Sequence, residues 1–329
     1  MVPHNKKPNP TPREKIMNKK ILVAIDGSRN SLAALDYVHS LSRHCPNLQL
    51  VLFHVLPPVP PVYKEAIFKD PIAQKYLLQW KQKHLEAIEQ VLKKSKDKLL
   101  HWGWEDSQVQ IKAQEKRVGL ARDILFEAHN GFYDAVVVGR RGLSKVEEFF
   151  LGSVSGKVLQ GAGDIPVWLI GGKVEAHKIL IALDGSENAL RALDHVSFIV
   201  ESCRSDQIQV LLLNTWPGLV TLTGPRVIPN LSSLNASAQE KHQNKMESFL
   251  DQAENLLLEA GLPAQRIKKK ICWRCSDISK SILSEAEKGG YGTLVLGRRG
   301  ISKAQEFFMG SISTKVIQLA GQKAVWIVS

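Results

Sequence analysis

Short runs of aliphatic and β-branched residues alternate along this chain with longer stretches whose apolar positions recur every three or four residues. In the first half the runs are ILVAI at 21–25, LVLFHV at 50–55, VQIK at 109–112, AVVVG at 135–139 and PVWLI at 166–170. They are nearly continuously apolar, the pattern of strands covered on both faces of a parallel sheet. Helical patterns lie between them at 29–44, 72–102, 119–130 and 153–162. The longest carries Leu85, Ile88, Val91, Leu92 and Leu99 at helical spacing, a stripe that predicts core packing. Five strand–helix alternations predict a doubly wound α/β domain. Given right-handed crossovers and a strand order of 3-2-1-4-5, winding reverses between strands 1 and 4. That switch point, beyond the carboxyl ends of the strands, is where such sheets hold ligands.

The whole pattern then repeats. ILVAIDGS at 21–28 matches ILIALDGS at 179–186, and DAVVVGRRGLSKVEEFFLGS at 134–153 matches GTLVLGRRGISKAQEFFMGS at 292–311. LQLVLFHVLP at 48–57 matches IQVLLLNTWP at 208–217 with a two-residue slip, and IPVWLI at 165–170 matches KAVWIV at 323–328. The second long helix carries Met246, Phe249, Leu250, Ala253, Leu256 and Leu257. We expect two tandem domains, 18–172 and 173–329, joined by the short linker Gly171–His177 and preceded by a tail at 1–17. The closing strands, 165–170 and 323–328, would each leave an apolar edge exposed, which invites aggregation. Pairing them across a pseudo-twofold axis removes that edge. The result is an intramolecular pseudo-dimer with room for a further homodimer.

A chain of 329 residues suffices for two cores, and its 44% hydrophobic and 23% charged content is ordinary for soluble proteins. No apolar run approaches the roughly 18 to 20 residues of a membrane helix. The N-terminal MVPHNKKPNPTPREKI lacks the apolar centre of a secretory signal, so a cytoplasmic location is expected. The net charge of +12 owes much to residues 1–20, where Lys6, Lys7, Arg13, Lys15, Lys19 and Lys20 face Glu14 alone. This Pro-rich tail is predicted to be disordered, and Met17 would make a natural start. No stripe of Arg and Lys with interleaved aromatics appears, so nucleic acid is not an expected partner. Four cysteines argue against a disulfide scaffold. Cys45 and Cys203 follow equivalent helices and read as structural. Cys272-Trp-Arg-Cys275 lacks the further ligands of a zinc site. It is either a redox pair or incidental packing at a strand end.

The segments richest in chemistry follow strands 1 and 4 of each half. The spacing Gly139, Gly142, Gly152-Ser153 recurs as Gly297, Gly300, Gly310-Ser311, every position displaced by 158. Glycine is needed where backbone takes positive φ or closely approaches a ligand. Gly152 and Gly310 would open the last helix of each half, and a helix N-terminus offers unpaired N–H groups and partial positive charge to a phosphate. A plain tight entry with Ser153 or Ser311 as a cap is the alternative. Asp26 and Asp184 end the first strands, positioned either to accept a bond from a ribose hydroxyl or base amine or to hold the turn. Arg140-Arg141 and Arg298-Arg299 either clamp phosphates or are solvated. Phe149-Phe150 and Phe307-Phe308 read as packing anchors.

The run from Gly152 to Val158 imitates a Walker A loop, but it is one residue short and Val158 replaces the Mg²⁺-binding Ser/Thr. Lys157 and Lys315 then belong to a helix surface. No paired acid/base or metal cluster occurs twice, and His39, His44, His54 and His84 are read as unmatched in the second half. No catalytic or metal-binding residue is therefore assigned. Retention of glycines, Ser, Asp and Arg alone favours a binding module over a hydrolase.

This constellation resembles the universal stress protein family in its tandem form, on ILVAIDGS and ILIALDGS, GRRGLSKVEEFFLGSVSGKVLQ and GRRGISKAQEFFMGSISTKVIQ, and the closing IPVWLI and KAVWIV. The glycine spacing ending in Gly-Ser resembles the branch of that family that binds ATP. The resemblance implies two Rossmann-like domains, similar to adenine nucleotide α-hydrolases, each a five-stranded parallel sheet with helices on both faces. Adenine nucleotide would lie across strands 1, 2 and 4, as ATP with or without Mg²⁺. Asp26 and Val55 would contact adenosine, Gly139 and Gly142 the ribose and phosphates, and Gly152, Ser153 and Val154 the phosphates. The second-half positions are Asp184, Thr215, Gly297, Gly300, Gly310, Ser311 and Ile312, and Arg140 and Arg298 stand as candidate phosphate clamps on the residue reading above. Asn214-Thr215 replaces His54-Val55 there, so the second site is expected to be the weaker. The implied role is stress response through nucleotide-dependent conformation or partners, with slow ATP hydrolysis, self-phosphorylation or an empty scaffold as alternatives.

Overall fold

The computed structural model describes residues 18–56, 70–140, 152–201, 203, 207–217, 231–273, 275–300 and 309–329. Its first half runs β1 (Lys19–Ala24), α1 (Arg29–Ser42), β2 (Leu48–Leu56), α2 (Pro71–His101), β3 (Val109–Glu115), α3 (Leu120–Asn130), β4 (Ala135–Gly139), α4 (Ser153–Gly161) and β5 (Val167–Ile170). The second half repeats it as β6 (Lys178–Ala182), α5 (Glu187–Val200), β7 (Gln209–Trp216), α6 (Leu231–Glu259), β8 (Ile267–Trp273), α7 (Ile278–Gly289), β9 (Thr293–Gly297), α8 (Ser311–Leu319) and β10 (Ala324–Val328). The tail at 1–17 lies outside the described residues. Among the described residues no helix is long and apolar enough to cross a membrane.

The strands form one ten-stranded sheet, β3-β2-β1-β4-β5-β10-β9-β6-β7-β8. Every neighbouring pair is parallel except β5 and β10, which pair antiparallel with Trp168 opposite Trp326. The chain is thus an α/β protein of two Rossmann-like halves. Two apolar cores, one on each face of the sheet, run through both halves. One takes Ile21, Val23 and Trp168 from the strands and receives α1, α2, α5 and α6. The other takes Leu22, Val167 and Leu169 and receives α3, α4, α7 and α8. Alternate residues of each strand go to opposite faces and both faces are covered, which is why the strand sequences are continuously apolar.

The helices start where local chemistry allows. Ser28 caps α1 by accepting from the Ser31 N–H, and Ser186 caps α5 by accepting from the Ala189 N–H. Gly27 and Gly185 precede these caps at φ 78°, a left-handed backbone that a side chain would strain. Both turns sit at the ends of the first strands, so the fold delivers each to its switch point.

Candidate functional site

Each half carries a pocket beyond the carboxyl ends of its strands. The first, of about 130 Å³, is lined by Asp26, His54, Val55, Gly139, Gly152 and Val154, among others. The second is larger, about 330 Å³. Its lining includes Asp184, Thr215, Gly297, Gly300, Gly310, Ser311 and Ile312, with Asn214, Trp216 and His242 beside them. Most of the residues singled out in the sequence therefore converge on two equivalent places. Ser153 sits at the exposed start of α4 and does not line the first pocket. Gly142 and the two Phe pairs fall outside the described residues.

One wall of each pocket is the turn after the first strand. Asp26 Oδ1 accepts from the Ser28 N–H at 2.9 Å, and Asp184 Oδ1 accepts from the Ser186 N–H at 3.0 Å. Each aspartate thus shapes its turn. Half-burial pushes the Asp26 carboxyl up, but hydrogen bonds from Ser28 and Ser31 outweigh it and hold the group below the ordinary carboxylate range. Asp26 is therefore an ionised acceptor at neutral pH.

The opposite wall is the glycine spacing. A Cβ on Gly139 would lie 2.5 Å from the carbonyl carbon and oxygen of Asn30, and one on Gly297 would lie 2.8 Å from the carbonyl carbon of Asn188. These two glycines thus admit the first turn of α1 or α5, a packing demand that stands beside their place in the pocket linings. Gly152 and Gly310 open α4 and α8 as N-caps, and among the described residues no side chain is seen to cap either helix. Two kinds of helix start therefore meet at each pocket, one closed by a serine and one opened by a glycine, whose first-turn N–H groups have no cap from the N-cap residue.

The strand-2 exits solve one problem in two ways. His54 Nδ1 donates to the Ile25 carbonyl at 2.6 Å, which fixes its tautomer and leaves Nε2 a bare acceptor, buried without a partner. Burial lowers the pKa of this ring, keeping it neutral. Asn214 Nδ2 makes the equivalent bond to Leu183 O at 2.8 Å, and its Oδ1 accepts from His242 Nε2 at 2.9 Å. The His242 ring also packs on Trp216, with centroids 4.0 Å apart. His242 corrects the reading that His84 is unmatched. The long helices superpose at an offset of 158, as the buried pairs Leu92/Leu250 and Leu99/Leu257 show, so His242 is the counterpart of His84.

The arginines are a second correction. Arg298 Nη2 donates to Gln160 O at 2.7 Å, and Arg140 donates from Nη1 to Ile317 O and from Nη2 to Gly321 O. Each guanidinium leaves its own pocket and reaches the end of the other half's last helix, where carbonyls lack intrahelical partners. Neither arginine lines a pocket, whereas Arg299 lines the second. Doublets so close to a glycine loop gave no sequence signal of this crossing.

Cys275 Sγ lies 3.3 Å from Cys272 O, and burial together with the neighbouring Cys275 thiol pushes Cys272 up to about 11. Both thiols are free. Among the described residues no group of three His, Cys, Asp or Glu could hold a metal ion.

The sequence profile of the universal stress protein family matches residues 17–171 and again 175–329. Universal stress protein YxiE of Bacillus subtilis is 29% identical over 150 residues, spanning 44% of this chain and 93% of its own. A universal stress protein from Archaeoglobus fulgidus shares the fold at a TM-score of 0.60 and 20% identity, covering 94% of this chain and 98% of that one. A functionally unknown protein from Pseudomonas aeruginosa PAO1 follows at a TM-score of 0.56 and 16% identity, with 94% and 92% covered.

Proposed function

The chain belongs to the universal stress protein family, one family domain in each half, and on that basis we propose that it is an adenine-nucleotide-binding regulator whose ligand, ATP, occupies the pockets at the two switch points. The observation that carries this reading is the pairing, in each half, of a helix start opened by a glycine N-cap with an aspartate turn across one pocket. Phosphates sit at the first turns of α4 and α8, on the N–H groups opened by Gly152-Ser153-Val154 and Gly310-Ser311-Ile312. The helix dipole contributes about 0.3–1 kcal/mol there, rising to about 2 when partly buried. Adenosine lies toward Asp26 and Val55 in one half and Asp184 and Thr215 in the other.

The halves read the base differently. In the first, His54 Nε2 offers an acceptor to a base amine. In the second, His242 consumes the equivalent acceptor, and the larger pocket presents the Trp216 indole instead. On this reading the second site, expected from the sequence to be the weaker if either is, offers space and aromatic surface in place of one lost acceptor. A general base aimed at a phosphate is absent from the residues assigned to either site, so the reading is of a binding module. Nucleotide occupancy then controls conformation or partner contacts during a stress response in the cytoplasm.

Isothermal calorimetry with ATP, and identification of any nucleotide released from denatured protein, test this. Gly310→Leu should fill the second phosphate site and Gly152→Leu the first, and the double variant should bind no nucleotide. Full binding by the folded double variant would overturn the site. Steady phosphate release that scales with protein and vanishes in the double variant would instead support a slow ATPase.

A further inference from the structure

At the end of the strands remote from the pockets, α1 and α5 converge, and the residues just beyond them, Cys45 and Cys203, are joined sulfur to sulfur. The two positions are 158 apart, the repeat offset itself, so the bond links equivalent points of the two halves. Cys45 is fully buried, whereas Cys203 is half-exposed. Charged and titratable groups gather round them. Lys19 pairs with Glu201 at 3.0 Å, Arg43 with Glu175 at 2.8 Å, and the rings of His44 and His177 lie 5.3 Å apart. The bond is not needed to close the sheet, since β5–β10 pairing and the crossed arginines already join the halves.

We propose that Cys45 and Cys203 form a reversible thiol–disulfide lock between the halves, closed by a low-molecular-weight disulfide and opened by a thiol. In closing, the Cys203 thiolate attacks one sulfur of the oxidant, breaking its S–S bond and releasing one thiol. Cys45 then attacks Cys203 Sγ of the mixed disulfide and expels the second thiol. The two protons of the cysteines leave on the two released thiols, so the protein loses two electrons and the oxidant gains them. Cys203 is the point of entry because attack requires access, and it is the less buried of the two residues. Cys45, buried beside it, serves as the resolving thiol. With the lock closed, the far ends of α1 and α5 cannot part. Their near ends carry the Ser28 and Ser186 turns, so the lock fixes the relative setting of the two pockets.

The full chain is equilibrated across a series of reduced and oxidised glutathione ratios, alkylated and mapped by mass spectrometry, with thermal melting in parallel. Toward the oxidising end, a cross-linked peptide pair containing Cys45 and Cys203 should appear while Cys272 and Cys275 remain alkylated. The melting temperature should rise by a few degrees with it. Cys203→Ser should abolish both changes, and the C272S/C275S variant should keep both. Free Cys45 and Cys203 at the oxidising limit, or a bond only between Cys272 and Cys275 or between chains, would overturn the proposal. Should Cys203→Ser not fold, the wild-type titration alone decides the matter.

Discussion

Trp168 and Trp326 stand 158 positions apart in the chain and stack ring on ring, centroids 3.9 Å apart and planes 2° from parallel, where β5 meets β10. Their polar neighbours differ. Trp168 Nε1 donates to His195 Nε2 at 3.0 Å. The position equivalent to His195 in the first half is Tyr37, whose hydroxyl pairs with Thr293 Oγ1 at 2.8 Å and faces Trp326. The seam is therefore an aromatic core with one basic ring, His195, buried in it.

That ring makes the protein sensitive to acid. Burial pushes His195 down to about 3 from an ordinary value of 6.5. The native ring stays neutral while the unfolded one takes a proton. Its contribution is fully present above about pH 6.5 and is lost progressively as pH falls toward 3, by an amount on the order of 4 kcal/mol. Urea midpoints should fall between pH 7 and pH 4. His195→Tyr copies the first half, keeps a partner for Trp168, and should flatten that slope without unfolding the chain. His39, His54, His177 and His242 are also held low by burial, so part of the slope should survive. An unchanged slope in His195→Tyr would contradict the assignment.

Arg298 separates seam chemistry from ligand chemistry. Its guanidinium satisfies Gln160 O at the end of α4. Arg298→Ala should cost about 1–3 kcal/mol of stability, the range for a lost charge-assisted bond. The ATP affinity of the folded variant should change less than threefold. Chemical denaturation and calorimetry on the same sample check both. Lost binding at unchanged stability would return the arginine to the phosphates.

The glycines divide in the same manner. Gly139→Ala places a Cβ 2.5 Å from the Asn30 backbone, where nothing flexible can yield, and should destabilise by about 1–3 kcal/mol. Gly310→Ala meets its nearest neighbour, Arg298 O, at 3.4 Å with an ordinary φ of −60°, and should stay within about 1 kcal/mol of wild type. Melting curves of the two variants decide between these roles.

Fold class and duplication were legible because double-faced burial leaves continuous apolar runs, as in β4, where Val136 serves one core and Val137 the other. The pocket positions were legible because glycines cluster where backbone crowds backbone. The direction of Arg140 and Arg298 was not, since a long side chain can reach a phosphate or a helix end from the same position. The match between His84 and His242 was hidden for a different reason. A polar helix face carries no periodic marker, and strand 2 slips by two residues while the helix does not, so the register emerges only from the buried stripe.

Trp216 offers a direct optical test of the second pocket. It lines the larger cavity and lies against His242, itself held by Asn214. A base entering this pocket stacks on the indole, a contact worth about 1–3 kcal/mol where bases stack on aromatics in other proteins. ATP should therefore quench tryptophan emission with the affinity that calorimetry reports for the second site. Trp216→Leu, which installs the type of residue that Leu56 supplies in the first half, should remove the quench and weaken that site about five- to a hundredfold, while the first site stays unchanged. Gly310→Leu should also remove the quench, but by blocking phosphate rather than base, so adenosine alone should still perturb Trp216 in that variant. An undiminished quench in Trp216→Leu would mean that another tryptophan reports the ligand and that the base lies elsewhere.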